Sequence, residues 1–270
     1  MRTKDYEFDP AEQVKLIENF IKTYFADNGN PNTKAVIGIS GGKDSTIAAA
    51  LLVRALGADR VIGVMMPQHV QADIKDSYRV CEALGINSYV INIGPTCDKL
   101  NQSFMDGSDL QLTPQILTNT PARIRMATLY MVAAAVGGRV CNTGNASEAF
   151  IGYTTKYGDL AGDFAVLRYL TVREIYAIGD YLELPMDLVH KHPADGMSGK
   201  TDEDNTGIPY DAIDDFLLDG TIPEMAIWEK IQAAHQRNEH KEVIQLPAPQ
   251  RYGYSLHRIH SRHGGVYEVF

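Results

Sequence analysis

Residues 36–45 are the feature that most constrains the fold of this chain. They read Val-Ile-Gly-Ile-Ser-Gly-Gly-Lys-Asp-Ser and pass from a short apolar strand, through a Ser-Gly-Gly turn, into an alanine-rich helix. Because glycine has no Cβ, the backbone of Gly41 and Gly42 can approach an anion closely. The first N–H groups of the helix and the positive end of its dipole face the same point. The pattern predicts a phosphate-binding loop, with Asp44 placed to hold a magnesium ion against the phosphates.

Two familiar alternatives do not fit this loop. A Walker A motif needs glycine at position 37 and Ser or Thr at position 44, where the chain has Ile37 and Asp44. An ordinary strand–turn–helix explains the glycines but not the adjacent Asp44 and Ser45. The pattern Ser-Gly-Gly-x-Asp-Ser resembles the signature of the ATP pyrophosphatases, enzymes that split ATP between its α- and β-phosphates.

Composition and charge narrow the class of protein. The 270 residues are 44% hydrophobic and 22% charged, which suits one soluble globular domain. A net charge of −9 argues against broad binding to nucleic acid. Three scattered cysteines favour reduced thiols, and the polar start and lack of a long apolar stretch favour a cytoplasmic protein outside the membrane. The aspartates of residues 202–219 are interpreted as a solvated acidic face.

Alternating strands and helices predict an α/β fold with a doubly wound parallel sheet flanked by helices. Gly57 and Gly85 stand where helix C-caps belong. Glycines, prolines and acids in residues 185–209 predict a loop or lid. The predicted strands are 35–40, 60–66, 88–93 and 138–143, and the predicted helices are 9–26, 45–56, 72–84, 122–136, 171–182, 211–218 and 224–235.

A second polar segment follows the fourth predicted strand. Residues 142–148 read Asn-Thr-Gly-Asn-Ala-Ser-Glu. Ligands of open α/β sheets bind beyond the carboxyl ends of the strands, so this segment is expected near residues 40–45. Glu148 would then add a second carboxylate to the metal held by Asp44. The alternative is a capped turn followed by a surface glutamate.

A third segment, residues 152–159, carries Lys156 and Asp159 between glycines, and Asp163 follows it. Such a loop suits charged substrates. A solvated loop would look similar, although Tyr153 and Tyr157 would then be exposed.

Together these segments resemble ammonia-dependent NAD synthetase, a family within the ATP pyrophosphatases. The family's Ser-Gly-Gly-x-Asp-Ser, Ala-Arg-x-Arg-Met, Thr-Gly-Asn-x-Ser-Glu and Thr-Lys-Tyr-Gly-Asp motifs appear here, in order, at residues 40–45, 122–126, 143–148 and 155–159. The later Asp202-Glu203, Gly207, Tyr210, Ile213-Asp214 and His240-Lys241 are similar to that family as well.

The resemblance implies an adenine-nucleotide α-hydrolase-like fold and one synthetase domain over residues 1–270, without a glutaminase domain. It implies the last step of NAD biosynthesis, in which nicotinic acid adenine dinucleotide (deamido-NAD) is activated by ATP as an acyl-adenylate. Ammonia then displaces AMP to give NAD. Magnesium and a homodimer are implied too.

The resemblance also assigns roles to individual residues. It implies that Asp44 and Glu148 bind magnesium. Asp159 is the candidate for accepting a proton from ammonium, and Lys156 is the second catalytic candidate. The residues assigned to ATP are Gly38, Ile39, Ser40, Gly41, Gly42, Lys43, Asp44, Ser45, Gln71 and Thr143. Those assigned to deamido-NAD are Arg123, Lys156, Asp163, His240 and Lys241.

Three positions depart from the family pattern. A lysine for the ATP phosphates is replaced by Val172, and we favour Lys43 over Arg168 and Arg173 as its substitute. A common glycine is Asn142, which tolerates left-handed backbone. A Ser or Thr after Pro193 is Ala194.

Two rival functions remain at this point: another ATP pyrophosphatase, such as a tRNA-modifying enzyme, and a nucleotide sensor without chemistry. The acidic charge disfavours the first, and the pair Asp44 and Glu148 disfavours the second. His257, His260 and His263 are interpreted as part of a solvated or subunit-contacting tail rather than a metal cluster.

Overall fold

A parallel five-stranded sheet forms the centre of the fold. The computed structural model describes residues 7–71, 73–190 and 201–241. The strands are β1 (Lys34–Gly38), β2 (Val61–Met65), β3 (Asn87–Val90), β4 (Gly138–Asn142) and β5 (Phe164–Ala165). They are ordered β3-β2-β1-β4-β5, and every neighbouring pair is parallel. The predicted doubly wound sheet is confirmed, and only the two-residue β5 was not predicted.

Helices flank the sheet. Those in the described residues are α1 (Pro10–Asp27), α2 (Lys43–Leu56), α3 (Ile74–Leu84), α4 (Gly94–Gly107), α5 (Pro114–Val136), α6 (Ala146–Ile151), α7 (Val172–Tyr181), α8 (Met186–Val189), α9 (Asp202–Thr206), α10 (Tyr210–Asp219) and α11 (Met225–Asn238). Gly57 and Gly85 cap α2 and α3 as predicted.

Five helices of the described residues differ from the predictions. Helix α5 begins well before residue 122, because Thr113 caps it and Pro114 suits the first helical position. Helices α4 and α6 were not predicted. The loop predicted for residues 185–209 is wrong at both ends, where α8 and α9 form. Residues 191–200, which include Ala194, lie outside the described residues, as do the three histidines of the tail.

The central strands β1, β2 and β4 are largely buried, because both faces of the sheet are covered there. The edge strand β3 is exposed along its length. Alternate residues of a strand point to opposite faces. Ala35 and Ile37 pack with α1, α2 and α7 in one core, whereas Val36 and Val140 pack with α5 in another. These two layers hold the carboxyl ends of β1 and β4 side by side.

The last part of the described chain adds a third apolar cluster. Ile151 of α6, Ile213 of α10 and Ile231 of α11 are buried together. The prediction that residues 202–219 form a solvated acidic face is therefore wrong in part, because Asp202 and Asp214 are buried. Asp214 accepts a hydrogen bond from Ser147 Oγ at 2.5 Å, so a carboxylate of α10 is joined to α6.

The chain reverses its winding direction at β1 and β4. From β1 it proceeds to β2 and β3 on one side, whereas β4 and β5 lie on the other side. Such a switch point leaves a crevice beyond the carboxyl ends of the two central strands. The glycine turn after β1 and the polar segment after β4 both open into that crevice.

Gly41 allows the turn after β1 to lie against α3. Its φ is +80°, and a Cβ there would be 2.9 Å from both Asp76 Cβ and Ser77 N. We expect Gly41→Ala to lower the free energy of unfolding by about 2–4 kcal/mol, from left-handed backbone strain plus overpacking. Gly220→Ala is the matched control, because Gly220 has φ +82° with nothing within 4 Å. It should cost only about 1–2 kcal/mol. Equal losses in urea unfolding would contradict the packing role.

Candidate active site

A cleft of about 560 Å³ opens at the carboxyl ends of β1, β2 and β4. Its walls come from five parts of the chain: the β1–α2 turn, the end of β2, one side of α5, the β4–α6 turn and residues 152–155. The position is the one expected from the switch point of the sheet. The other lining residues are Gln71, Asp73, Asp159, Asp202 of α9 and Lys241.

The glycine turn is held in shape by its own two serines. Ser45 Oγ donates to Gly42 O at 3.1 Å and lies 3.1 Å from Ser40 Oγ. Gly42 N donates to Ser40 Oγ at 3.2 Å. The turn is therefore preformed at the start of α2, whose first N–H groups have no partner within the helix.

The two glycines of the turn have different roles. Gly42 lines the cleft, and its backbone is extended at φ −89° as the N-cap of α2. Gly41 does not line the cleft, because it faces α3. The expected close backbone approach to an anion is thus available at Gly42, whereas Gly41 is required for packing.

The predicted proximity of the two polar turns is confirmed. Asn145 Nδ2 donates to Asp44 Oδ1 at 3.1 Å, which joins the β4–α6 turn to the start of α2. Asn145 also forms a reciprocal cap with Glu148: Glu148 N donates to Asn145 Oδ1 at 2.9 Å, and Asn145 N donates to Glu148 Oε2 at 3.3 Å. Glu148 therefore caps its own helix and still faces the cleft.

The electrostatic state of Glu148 reflects these neighbours. Loss of hydration in the cleft, and then the nearby carboxylate of Asp44, raise the pKa of Glu148 to about 8. The neighbouring ammonium of Lys43 acts in the opposite direction. Two carboxylates that repel each other at the floor of a cleft form a place where a cation is stabilised.

Lys43 is the cation closest to this pair. Its side chain is only 2% exposed, and its Nζ lies 2.8 Å from Asp44 Oδ2. The ammonium also lies 5.7 Å from the ring centroid of Tyr210. Burial opposes the charged form, but the carboxylates of Asp44 and Glu148 raise the pKa of Lys43 above its ordinary value.

Most of the residues singled out from the sequence reach the cleft. Those that line it are Gly38, Ile39, Ser40, Gly42, Lys43, Asp44, Ser45, Gln71, Thr143, Glu148, Asp159 and Lys241. Those that do not are Gly41, Arg123, Lys156, Asp163 and His240.

Three of the residues outside the cleft form a connected group at its side. Arg123 Nε donates to Lys156 O at 3.2 Å, and Lys156 Nζ donates to His240 O at 2.8 Å. Lys241 bridges the group to the cleft, since its Nζ donates to Gly152 O and Thr154 O at 2.7 and 2.8 Å.

Asp163 lies apart from that group. Its carboxylate accepts hydrogen bonds from Val140 N at 2.7 Å and from Tyr130 OH at 3.2 Å. Tyr130 is a surface residue of α5, so Asp163 belongs to the junction between α5 and β4.

Asp159 is held at the cleft by its own loop. Thr155 N donates to Asp159 Oδ1 at 2.6 Å. Loss of hydration raises the pKa of Asp159 above its ordinary value, although the hydrogen bond from Thr155 opposes the change. A carboxylate with a raised pKa accepts a proton more readily.

Arg125 is a cleft residue that the sequence analysis did not single out. It lines the cleft from α5, and its Nε donates to Met66 O at 3.1 Å. Burial lowers its pKa from the ordinary value. The motif held the signal, because residues two apart on a helix point about 200° apart, so Arg123 and Arg125 cannot both face the cleft.

The departures from the family pattern have clear structural outcomes. Val172 is buried at the first position of α7. Arg173 beside it bonds to Asp215 at 2.8 Å on the surface, so it does not line the cleft. Arg168 does not line the cleft either. Of the three candidate substitutes for the family lysine, Lys43 is therefore the one that lines the cleft.

The sequence analysis explained Asn142, in place of the family's glycine, by the tolerance of asparagine for left-handed backbone, and this explanation is wrong. Its backbone belongs to β4 and is not left-handed. Its side chain instead donates to Asp159 O and Ala161 O at 2.6 and 2.9 Å and accepts from Gly144 N at 2.9 Å. Asn142 thus ties the Asp159 loop to the β4–α6 turn.

Two features are absent from residues 7–71, 73–190 and 201–241. No group of three or more His, Cys, Asp or Glu side chains placed to hold a metal ion occurs there. No helix there combines the length and apolarity that crossing a membrane requires. The three cysteines are all free thiols, as predicted.

Comparison with known proteins identifies similar chains. The family described as NAD synthase matches residues 13–252. An NH(3)-dependent NAD(+) synthetase of Pyrococcus furiosus is 37% identical over 233 residues, which are 86% of this chain and 85% of that protein.

Two solved structures share the fold over nearly the whole chain. An NMN synthetase from Francisella tularensis has a TM-score of 0.83 at 33% identity and covers 90% of this chain and 100% of its own. An NH3-dependent NAD synthetase from Campylobacter jejuni has a TM-score of 0.72 at 28% identity and covers 91% and 100%.

Proposed function

The chain belongs to the NAD synthase family, and we propose that it amidates deamido-NAD with ammonia at the expense of ATP. As a member of the family it is a ligase that forms a carbon–nitrogen bond. The observation that carries the proposal is the pair of cleft carboxylates, Asp44 and Glu148, joined through Asn145 beside a preformed glycine turn. A protein that only binds ATP has no need for that second acid.

The cleft supports a two-step reaction. A nicotinate oxygen attacks the α-phosphorus of ATP, the bond to the β-phosphate oxygen breaks, and pyrophosphate leaves. Ammonia then attacks the acyl carbon, and AMP leaves with the electrons of the carbon–oxygen bond. The N–H groups at the start of α2 would stabilise charge on the departing pyrophosphate. Gly42, Ser45 and Thr143 supply this wall of the cleft.

We propose magnesium as the cofactor, held by Asp44 and Glu148. Both carboxylates line one cleft, and burial, followed by the charge of Asp44, raises the pKa of Glu148, so the donor set fits a hard divalent cation. The described residues offer this pair of carboxylates and no third metal-binding side chain beside it. Such a partial set of protein ligands fits an ion that is also coordinated by phosphate oxygens. When bound, such an ion would neutralise charge on the leaving pyrophosphate.

The remaining assignments concern deamido-NAD and ammonia. The connected residues Arg123, Lys156, His240 and Lys241 form a basic edge beside the cleft, which suits a dinucleotide carrying phosphates. Asp163 is proposed for the same substrate from the α5–β4 junction. Asp159 is proposed to accept the proton of ammonium, because it faces the cleft and its pKa is raised.

The assay that tests the function supplies ATP, magnesium, deamido-NAD and ammonium to the purified protein. We expect NAD, AMP and pyrophosphate in equal amounts, because the reaction breaks the α–β bond. With glutamine as the sole donor in ammonia-free buffer, the rate should fall at least ~100-fold, because burial raises the pKa of all three cysteine thiols of the described residues, which disfavours the thiolate that could attack glutamine. ADP and orthophosphate as products, or efficient use of glutamine, would refute the proposal.

A second candidate substrate is the corresponding mononucleotide, nicotinic acid mononucleotide. The solved NMN synthetase resembles this chain more strongly than the Campylobacter enzyme does, both in TM-score and in identity. The same assay with each substrate compares kcat/KM. A preference for the mononucleotide would change the proposed substrate from deamido-NAD to nicotinic acid mononucleotide. The proposed amidation chemistry would stay the same.

Removal of either cleft carboxylate tests the metal assignment. We expect Asp44→Asn and Glu148→Gln each to lower kcat/KM at least ~100-fold, because each keeps its shape and loses a charged ligand. Gln at position 148 can still cap α6, so the fold should persist. Excess magnesium should restore part of the activity. The control is Asp211→Asn, whose side chain is 89% exposed on α10. Near-normal rates for both cleft variants at ordinary magnesium would exclude a shared ion.

We also propose a homodimer formed through α4 and α5. Leu100, Met105, Leu117 and Met131 are apolar side chains exposed on these two helices. A large exposed apolar face is a common sign of a subunit contact.

Light scattering after size-exclusion chromatography tests the dimer. We expect Met131→Glu, at a side chain 73% exposed on α5, to shift the protein toward monomer, since it would bury a charge. Met186→Glu is the control, because Met186 is 60% exposed on α8, away from this face. A monomeric wild-type protein, or a dimer unaffected by Met131→Glu, would rule out this interface.

Two further assignments are proposals of the same kind. The described residues share one sheet and its flanking helices, which supports a single synthetase domain for this part of the chain. The free thiols of Cys81, Cys97 and Cys141 support a cytoplasmic location.

A further inference from the structure

Lys43 occupies a position that the family motif leaves open, the x of Ser-Gly-Gly-x-Asp-Ser. It is the first residue of α2, and its side chain is only 2% exposed. A buried cation at the positive end of a helix is unfavourable twice, through lost hydration and through the helix dipole. The ammonium must therefore be stabilised by its neighbours.

Those neighbours are the proposed metal ligands. Lys43 Nζ lies 2.8 Å from Asp44 Oδ2, and the carboxylate of Glu148 also attracts the ammonium. The ring of Tyr210 closes the other side, 5.7 Å from Nζ. Lys43 thus holds a positive charge beside the two carboxylates that would otherwise attract a divalent ion.

The oxygens of Asp44 are both in use. Oδ1 accepts from Asn145 Nδ2 at 3.1 Å, and Oδ2 faces Lys43. An incoming divalent ion would have to displace the ammonium from Oδ2 or tolerate a positive charge close by. Either event is costly in the free protein and becomes favourable once a polyphosphate adds its own negative charges to the cleft.

We propose that Lys43 is a resident counter-ion that keeps the divalent cation from binding tightly until the nucleotide is present. This inference rests on the proposed metal role of Asp44 and Glu148. It assigns to Lys43 a positioning role toward the metal carboxylates, in addition to any contact with phosphate. Since coupling between two ligands is reciprocal, the metal should improve nucleotide affinity by the same factor.

Manganese is the probe, because its binding is read directly by electron paramagnetic resonance without turnover. Free Mn²⁺ is titrated with the full-length protein in the presence and absence of a non-hydrolysable ATP analogue. We expect Lys43→Gln and Lys43→Met to tighten Mn²⁺ binding in the absence of nucleotide by a factor on the order of ten. The coupling factor between analogue and metal should shrink by the same amount.

The controls separate the possible causes. Lys15→Gln removes an equal charge from a side chain 68% exposed on α1 and should leave both affinities unchanged. Thermal unfolding of each variant confirms that the fold is retained. Lys43→Met retains an apolar side chain against Tyr210, so it serves as the test variant if Lys43→Gln is unstable.

Each outcome has a defined meaning. Unchanged or weaker Mn²⁺ binding by the Lys43 variants would overturn the inference. A coupling factor between analogue and metal below about threefold in the wild-type protein would overturn it too, and that test needs no folded Lys43 variant. Asp44→Asn distinguishes failure of the inference from failure of the proposed function. If Mn²⁺ binding with the analogue does not depend on Asp44, the metal assignment itself is wrong, and the role of Lys43 is lost with it.

Discussion

The hydrogen bond from Asn145 to Asp44 is the contact on which the site depends. It links the turn after β4 to the start of α2, at 3.1 Å, across the switch point of the sheet. Asn145 is fully buried, and its remaining polar groups cap α6 through Glu148. A hydrogen bond to a charged acceptor contributes about 1.5–3 kcal/mol, and an unpaired buried amide would cost a comparable amount. The two carboxylates are thereby held at a fixed separation before any ligand arrives.

Helix α10 stabilises this arrangement through contacts with α6 and α7. Ser147, next to Glu148, donates to Asp214 and accepts from Val172 N at 3.1 Å. Asp214 also accepts from Arg173 N at 2.8 Å. One buried carboxylate of α10 therefore connects the first turn of α6 with the first turn of α7. This explains why a stretch far along the chain from the glycine turn carries residues similar to the family's late motif.

The sequence predicted the sheet well because its determinants are local. Apolar runs bounded by glycine or proline predicted four of the strands and a doubly wound sheet, and the rule that ligands bind beyond the carboxyl ends of strands brought Asp44 and Glu148 together. Helix α4 was missed because, of its residues, only Gly94 and Cys97 are buried, so few of its side chains mark a face that packs on the core. The burial of Asp214 and the packing of Gly41 on α3 were not predictable, because each depends on a partner distant in sequence.

The charge of the cleft supports the proposed pairing of a divalent cation with ATP in this chain. Of the described residues that line it, five are acidic (Asp44, Asp73, Glu148, Asp159 and Asp202) and three are basic (Lys43, Arg125 and Lys241). Fully ionised, such a lining repels a polyanion. Lys43 offsets only part of this charge, because it is already engaged with Asp44. A cation that offsets the phosphates of ATP and the cleft carboxylates at once would make entry of ATP more favourable, so the acids that disfavour the free nucleotide would favour the metal–nucleotide complex as the substrate.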